Sequence, residues 1–241
     1  MTSHSDPGPR AIARIAGIFY LLVIVLSPLA MYIRTTMAGQ SDASAFAANL
    51  VAHEPLYRLG AAADVLSSVC YIVVTALFYM LFRPVSRSLA LVATGFSLVG
   101  IATGTLGGLF NVIPLVILHG APHLDAFSNQ QLQQLAAMSV NVGGQAVNIG
   151  IVFFGCYCLA IGWLIVKSTF LPAILGAGMM LAGLGWLSFL YPPLATALLP
   201  FNLMTGGLGE GALTVWLLAV GLNPHRWHEQ AGISPTDAKI P

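Results

Sequence analysis

Long apolar runs separated by short polar segments dominate the pattern of this chain. Six runs reach roughly the 20 residues that a membrane-spanning helix needs. They cover residues 11–33, 59–82, 89–118, 142–166, 171–190 and 201–222. The pattern therefore predicts an all-α fold, a polytopic membrane helix bundle with six transmembrane helices. Residues 11–222 form the single transmembrane domain in this interpretation, between a disordered cytoplasmic tail (1–10) and a second cytoplasmic tail (223–241).

The distribution of basic residues predicts the orientation of these helices. With the N-terminus inside, only Arg34 and Arg58 of the nine Lys and Arg residues fall outside. The others fall on the cytoplasmic side: Arg10, Arg14, Arg83, Arg87, Lys167, Arg226 and Lys239. Because cytoplasmic loops are enriched in Lys and Arg, both termini are expected to be cytoplasmic.

The segment between the first two spans carries an amphipathic stripe. Its sequence, SDASAFAANLVAH (41–53), has apolar residues at helical spacing, including Phe46, Leu50 and Val51. Ser41 is a suitable N-cap. We expect a short outer helix lying near the interface.

Glycines in the third span are spaced for close helix packing. Gly100, Gly104 and Gly108 follow a GxxxGxxxG pattern, which lets neighbouring helices approach closely in lipid. Pro114 is expected to kink the outer end of this span. We interpret this row of three glycines, the predicted ridge, as a surface for helix packing.

Composition excludes several classes of function. Hydrophobic residues make up 57% of the chain and charged residues 7%, and the net charge of +1 gives no electrostatic basis for binding nucleic acid. The three cysteines, Cys70, Cys156 and Cys158, all lie in predicted spans and have no metal-site spacing. No motif for a nucleotide, metal or other cofactor is present, so we expect neither metal nor cofactor.

Two carboxylates lie within predicted spans. Asp64 is in the second span and Glu210 in the sixth. An ionised group in the hydrocarbon core costs roughly 2.5–3.5 kcal/mol, so such acids are usually paired, protonated or functional. We interpret Asp64 and Glu210 as candidate catalytic residues, with Arg58 as the natural counter-ion. Arg58 lies on a different helical face from Asp64, so the alternatives are that it reaches Glu210 or extends outward to the interface.

Other polar and small residues are expected at a similar depth, in the outer half of the bilayer. They share helical faces with one another or with the two acids. The candidate substrate-binding residues are Arg58, Ser67, Ser68, Tyr71, Asn111, Gln145, Asn148 and Gly207. Together they predict one pocket open toward the outer face. The alternative is that the amides and hydroxyls only join neighbouring helices, for ~0.6 kcal/mol each.

Several motifs resemble a known family. These are ARIAGIFYLLVIV (13–25), LYRLGAAADVLSSV (56–69), LFRPVSRSLALVA (81–93), NIGIVFFGCYCLAIGWLI (148–165), FLPAILGAGMMLAGLGWL (170–187) and GGLGEGALTVWLL (206–218). Together they resemble the bacterial membrane family catalogued as domain of unknown function 4386. The resemblance implies a multi-pass protein of the bacterial inner membrane, and places the family's arginine, aspartate and glutamate on Arg58, Asp64 and Glu210. Tyr157 stands where the family form often has histidine, which weakens any metal or proton-relay role there.

Three functions fit these features. The first is an intramembrane acid–base enzyme that protonates a lipophilic substrate, with terpene-cyclase-like chemistry by analogy only. Its aromatic candidates for stabilising a cation are Tyr71, Phe110, Trp186 and Trp216. The second is a proton-coupled small-molecule transporter, for which a homo-oligomer could supply what one chain lacks. The third is a non-catalytic accessory or lipid-binding membrane protein. The expected partners are membrane lipids and a lipophilic small molecule.

Overall fold

The computed structural model describes residues 8–38, 42–120, 124 and 126–233, and the regular secondary structure within them is helical. Most of the predicted N-terminal tail, the expected cap Ser41 and the end of the C-terminal tail lie outside the described residues. The α-helices are α1 (Pro9–Ala38), α2 (Ala43–Ala52), α3 (Glu54–Phe82), α4 (Arg87–Leu118), α5 (Asn129–Lys167), α6 (Ala173–Trp186), α7 (Pro192–Ala197), α8 (Leu199–Ala219) and α9 (Pro224–Gln230). A 3₁₀ helix, Leu187–Leu190, extends α6.

The described residues include five helical segments long and apolar enough to cross a membrane. They are α1, α3, α4, α5 and α6 with its 3₁₀ extension. A sixth candidate is the pair α8 and α9, which is bent by 107°. The chain is thus a multi-pass membrane protein with five or six spans, and the upper count agrees with the sequence prediction.

Helix α5 begins well before its apolar part, because a capping box fixes its start. The Gln131 main-chain N–H donates to Ser128 Oγ over 3.4 Å, and the Ser128 N–H donates to Gln131 Oε1 over 2.8 Å. These two bonds satisfy donors that a helix start leaves without partners. Ser128 therefore caps the start of α5.

The short helix expected after the first span is present as α2, although its N-cap is Asp42. The Asp42 carboxylate accepts hydrogen bonds from the Ser44 hydroxyl and main-chain N–H. The hydroxyl bond is the main reason that the pKa of Asp42 is lowered. Phe46 and Leu50 are buried as expected, but Val51 is exposed.

The chain divides into two compact units, and the division between them falls within each of the long helices α1, α3, α4 and α5. The first unit comprises the described residues within 1–21, 70–100 and 151–241, and the second comprises those within 22–69 and 101–150. The first unit therefore holds α6 to α9 and one end of each earlier long helix.

Glycines join the helices of the first unit at close range. A Cβ added to Gly176 of α6 would lie 2.5 Å from the carbonyl oxygen of Gly162 in α5. The same relationship holds farther along the pair, where a Cβ on Gly183 would lie 2.8 Å from the Gly155 oxygen. On another face of α6, a Cβ on Gly209 of α8 would lie 2.5 Å from the Gly178 oxygen. Backbone therefore meets backbone on two sides of α6, as is common in membrane helix pairs.

The second unit has its own glycine contact, at a different position from the predicted ridge. A Cβ on Gly107 of α4 would lie 2.7 Å from the carbonyl oxygen of Gly143 in α5. By contrast, no described atom lies within 4 Å of a Cβ built on Gly104 or Gly108, apart from their own helix. The predicted ridge is thus wrong for these two glycines, because the face of α4 that carries Gly107 meets α5.

The apolar core of the second unit covers α2. Phe46 and Leu50 of α2 pack with Tyr57, Leu115 and Ala136. These contacts bury the apolar stripe of α2 and explain why so short a helix is ordered.

The polar end of the chain contains a helix that its composition did not predict. Trp227 of α9 is buried and donates from Nε1 to the Leu81 carbonyl oxygen over 2.9 Å. Thr169, which follows α5, donates from its main-chain N–H to Gln230 Oε1 over 3.0 Å. α9 is therefore fixed against the rest of the first unit.

Candidate functional site

Glu210 lies in the first unit and is held by aromatic side chains from two other helices. The Tyr20 hydroxyl of α1 donates to Glu210 Oε2 over 3.1 Å. Trp186 at the end of α6 donates from Nε1 to Glu210 Oε1 over 3.2 Å. Each carboxyl oxygen thus has its own aromatic partner, and three helices meet at one acid.

These two donors belong to a closed circuit of rings. Tyr20 contacts Tyr71 with ring centroids 5.9 Å apart, and Tyr71 contacts Phe154 at 5.7 Å. Phe154 in turn lies 6.2 Å from Trp186. We call the acid and these four rings the Glu210 circuit. The spacings lie within the range at which aromatic pairs attract one another, so the rings hold the two donors in place.

Tyr157 extends the circuit with a second buried hydroxyl. Its ring lies 5.9 Å from that of Tyr71 and 6.0 Å from that of Phe154. The hydroxyls of Tyr71 and Tyr157 are both buried and interact with each other. Two buried hydroxyls therefore lie together beside the circuit.

A glycine gives the tryptophan its position. A Cβ added to Gly206, one helical turn before Glu210, would lie 2.5 Å from Trp186 Cζ2. The indole can therefore lie against α8 only because residue 206 has no side chain. The neighbouring candidate Gly207 is exposed and has no described atom within 4 Å of its Cβ position.

Asp64 lies in the second unit and has a different kind of partner. Its carboxylate forms an ion pair with the Arg34 guanidinium of α1, and both side chains are half-buried. Arg58 instead donates to Glu54 Oε1 over 2.6 Å, and His119 Nε2 lies 3.0 Å from Glu54 Oε2. The counter-ion of Asp64 is thus Arg34, and Arg58, the expected counter-ion, pairs with Glu54 one turn before it on the same helix.

The remaining candidates lie in the second unit, apart from Tyr71 and Gly207. Ser67 shares a hydrogen bond of 2.7 Å with Ser27 of α1, and Ser68 accepts one of 3.1 Å from the Thr105 hydroxyl of α4. Asn111 is buried, Asn148 is half-buried and Gln145 is exposed. The serines therefore fit the role of joining helices.

Each of the two acids has its hydrogen-bond or ion-pair partners within its own unit. Glu210 bonds Tyr20 and Trp186, and Asp64 bonds Arg34. That Asp64 and Glu210 line one pocket stays a prediction. Among the described residues, no group of three or more His, Cys, Asp and Glu side chains could hold a metal ion.

Sequence reasoning missed Arg34 and Tyr20. Arg34 was assigned to the outer end of the first span as a topogenic charge only, although its position beyond an apolar run also suits a partner for an intramembrane acid. Tyr20 is a polar aromatic within an apolar run, and that alone is a weak indication. Trp186 was considered only as a ring that could stabilise a cation, whereas its indole N–H donates a hydrogen bond to Glu210.

Comparison with known families finds a match over most of the chain. Residues 15–221 match the family described as domain of unknown function, DUF4386. The chain belongs to the DUF4386 family. The resemblance inferred from the sequence motifs is therefore confirmed. The part of this DUF4386 protein that matches contains the whole Glu210 circuit and the Arg34–Asp64 pair. No curated protein and no solved structure matches the chain.

Proposed function

We propose that this protein lies in a bacterial inner membrane with both termini in the cytoplasm and α2 on the outer side. The excess of Lys and Arg in the segments assigned to the inside supports this orientation. In it, Glu210 and Asp64 belong to the outer half of the bilayer, where a lipophilic molecule from the outer leaflet would enter.

We further propose that the protein is an intramembrane acid–base enzyme with Glu210 as the proton-transferring group. The observation that carries the proposal is the double contact of Glu210 with Tyr20 and Trp186. The indole N–H can only donate, whereas a tyrosine hydroxyl can donate or accept. Tyr20 can therefore bond the carboxylate as donor and the carboxylic acid as acceptor, so the site accommodates both proton states that acid–base catalysis requires.

The surrounding rings favour a cationic intermediate. The faces of Trp, Tyr and Phe attract cations within about 6 Å of the ring centroid. Tyr71, Phe154 and Trp186 contact one another in turn, with ring centroids 5.7 Å and 6.2 Å apart, and Trp186 bonds the acid directly. A substrate that develops positive charge on carbon at a ring face would be stabilised there, with the Glu210 carboxylate as its counter-charge.

The chemistry that suits such a site is isomerisation or cyclisation of an unsaturated lipophilic compound. The Glu210 proton would add to one carbon of a C=C bond, whose π electrons form the new C–H bond. This leaves a carbocation on the neighbouring carbon and a carboxylate on Glu210. Loss of a proton from an adjacent carbon, directly or after ring closure, then re-forms a C=C bond and restores the acid. Nothing is oxidised or reduced.

A proton-coupled transporter is the second candidate, and the Arg34–Asp64 pair favours it. Charged residues within membrane spans often mark ion and substrate pathways, and a paired acid can exchange its counter-ion for a proton. In this alternative Asp64 is the essential acid. A transporter would move its substrate unchanged, whereas the enzyme would release a different molecule.

The test compares lipid extracts from cells that express the wild-type protein, Glu210→Gln and Glu229→Gln. Glu229 is an exposed carboxylate on α9 that bonds His225, so its variant controls for loss of an acid away from the circuit. We expect a lipophilic product with wild type and Glu229→Gln that is absent with Glu210→Gln, at equal amounts of folded protein. An undiminished product with Glu210→Gln would refute the enzyme proposal. Counterflow in proteoliposomes that requires Asp64, without a new product, would establish the transporter instead.

A further inference from the structure

Exposed cations gather at one end of the first unit. In the described part of this unit the Lys and Arg side chains are all exposed: Arg10, Arg14, Arg83, Arg87, Lys167 and Arg226. We call these residues the basic end, and none of them forms an ion pair with a described residue. The acids described in the unit are Glu210, inside the circuit, and Glu229, which bonds His225. The basic end therefore carries a strong excess of positive charge.

Contacts between α3, α5 and α9 hold part of the basic end together. Phe82, directly before Arg83, stacks on Phe170 with ring centroids 6.0 Å apart. Phe170 lies three residues after Lys167, whose main-chain oxygen accepts a 3.2 Å bond from Gln230 Nε2 of α9. The end of α3 that carries Arg83 therefore lies beside the end of α5 that carries Lys167.

Further contacts bring α1 and the rest of α9 to the same place. Arg226 of α9 donates from Nη1 to the Thr169 main-chain oxygen over 3.2 Å. Arg10, at the start of α1, packs against Gly221, where an added Cβ would lie 3.2 Å from Arg10 Cγ. Arg87 begins α4 directly after the short turn that follows α3. The basic end is thus one surface rather than a set of scattered charges.

An exposed apolar side chain accompanies a cation of the basic end on three helices. Each apolar residue lies four positions from its cation, toward the middle of the helix, so the two share a helical face. The pairs are Arg14 and Ile18 on α1, Arg87 and Leu91 on α4, and Lys167 and Trp163 on α5. The three apolar side chains are between 47% and 60% exposed. In the last pair, Lys167 Nζ lies 4.9 Å from the centroid of the Trp163 ring.

This combination of charge and apolar surface identifies a class of ligand. A soluble anion would need the cations alone, whereas a phospholipid has a phosphate and acyl chains in the same order along the helix. Basic residues at a membrane surface attract anionic lipids, and Trp is enriched at the level of the lipid head groups. The charge bias that orients a membrane protein requires only the number of cations on one side, and not these pairs.

We propose that the basic end binds anionic phospholipids. Their phosphates contact the cations, and their acyl chains run along Ile18, Leu91 and Trp163. The proposal does not rest on the function proposed for Glu210, because the partners of that acid are Tyr20 and Trp186.

The first test measures, by electron paramagnetic resonance, how spin-labelled phosphatidylglycerol and phosphatidylcholine associate with the wild-type protein in phosphatidylcholine bilayers. We expect the anionic lipid to associate preferentially. The preference should shrink when the ionic strength rises from about 0.1 M to about 1 M, because the Debye length falls from about 10 Å to about 3 Å. Equal association of the two lipids at the lower ionic strength would overturn the proposal.

The second test compares affinities for phosphatidylglycerol by native mass spectrometry. Arg83→Gln/Arg87→Gln removes two exposed cations of the basic end, and we expect a loss of roughly fivefold for each, from the typical contribution of a cation at an anionic surface. Arg58→Gln is the control, because Arg58 is an exposed cation of the second unit that pairs with Glu54. Undiminished affinity of the folded double variant, or an equal loss per cation in the control, would overturn the proposal.

A competition experiment separates a phospholipid from a soluble anion. Glycerophosphoglycerol, which is the head group of phosphatidylglycerol without acyl chains, or inorganic phosphate is added at constant ionic strength to the protein with bound spin-labelled phosphatidylglycerol. We expect neither compound to displace the lipid at concentrations at which unlabelled phosphatidylglycerol does so. Displacement by either compound at those concentrations would mean that the basic end binds soluble anions, and would overturn the proposal.

Discussion

The Tyr20 hydroxyl donates a 3.1 Å hydrogen bond to Glu210 Oε2 across 190 positions of sequence. Tyr20 is fully buried, so the bond is not replaced by one to bulk water. It ties α1 to α8 and gives the acid a partner that can bond both of its proton states.

Tyr20→Phe should retain the ring contacts and remove only this bond. We expect product formation to fall by roughly 100-fold, at the lower end of the range of about 10²- to 10⁴-fold ascribed to groups that assist proton transfer. Stability should fall by only about 1 kcal/mol, as is typical for one hydrogen bond. Turnover in membranes and thermal unfolding measure the two effects. Tyr32→Phe, on an exposed part of the same helix, should change neither quantity, and equal loss in both variants would contradict the role of Tyr20.

Gly206→Ala should displace the indole that bonds Glu210. The added Cβ would lie 2.5 Å from Trp186 Cζ2, so the ring must move, at a cost of about 1–3 kcal/mol. Unfolding measurements report the loss of stability, and tryptophan fluorescence reports the displacement of the indole. The matched variant is Gly207→Ala, where the new methyl group meets no described atom within 4 Å. It should be neutral or slightly stabilising, because alanine favours helix. Equal effects of the two substitutions would show that Trp186 does not depend on Gly206.

Arg34→Ala should destabilise the protein because it leaves the half-buried Asp64 carboxylate without its counter-ion. We expect a loss of about 1–3 kcal/mol, below the ~3–5 kcal/mol of fully buried pairs. The double variant Arg34→Leu/Asp64→Leu should recover much of this loss, since it removes both charges. Arg58→Ala is the control, and its exposed pairing with Glu54 should make no measurable difference. If Arg58→Ala proved the more damaging change, Arg58 rather than Arg34 would be the important cation.

Asp42 should make the order of α2 depend on pH. Its folded-state pKa is lowered, chiefly by the Ser44 hydroxyl. The stabilising contribution is therefore complete above the unfolded pKa of about 3.9 and is lost as pH falls through the lower folded value. Hydrogen exchange of the α2 amides, corrected for intrinsic rates, should show this loss of protection. Asp42→Asn caps a helix about as well without titrating, so the same acid-induced loss in that variant would refute the explanation.

The lengths of the apolar runs predicted the long helices, because each helix in a membrane must be a continuous apolar run. Glu210 and Asp64 were conspicuous for the same reason. Their partners were not, since helical periodicity indicates which residues share a face but not which helix that face meets. Trp186 is 24 positions from Glu210, and Arg34 is 30 positions from Asp64. α9 was missed because one buried tryptophan, rather than an apolar run, fixes it.

Transfer of a solvent-derived proton to carbon tests the role of Glu210 most directly. Membranes containing the wild-type protein, Glu210→Gln or Glu229→Gln are incubated in D₂O with the lipid fraction that yields the product, which is then analysed by mass spectrometry. We predict carbon-bound deuterium in the product from wild type and Glu229→Gln, and neither product nor deuterium with Glu210→Gln. Deuterium incorporated at the wild-type rate by well-folded Glu210→Gln would contradict the account.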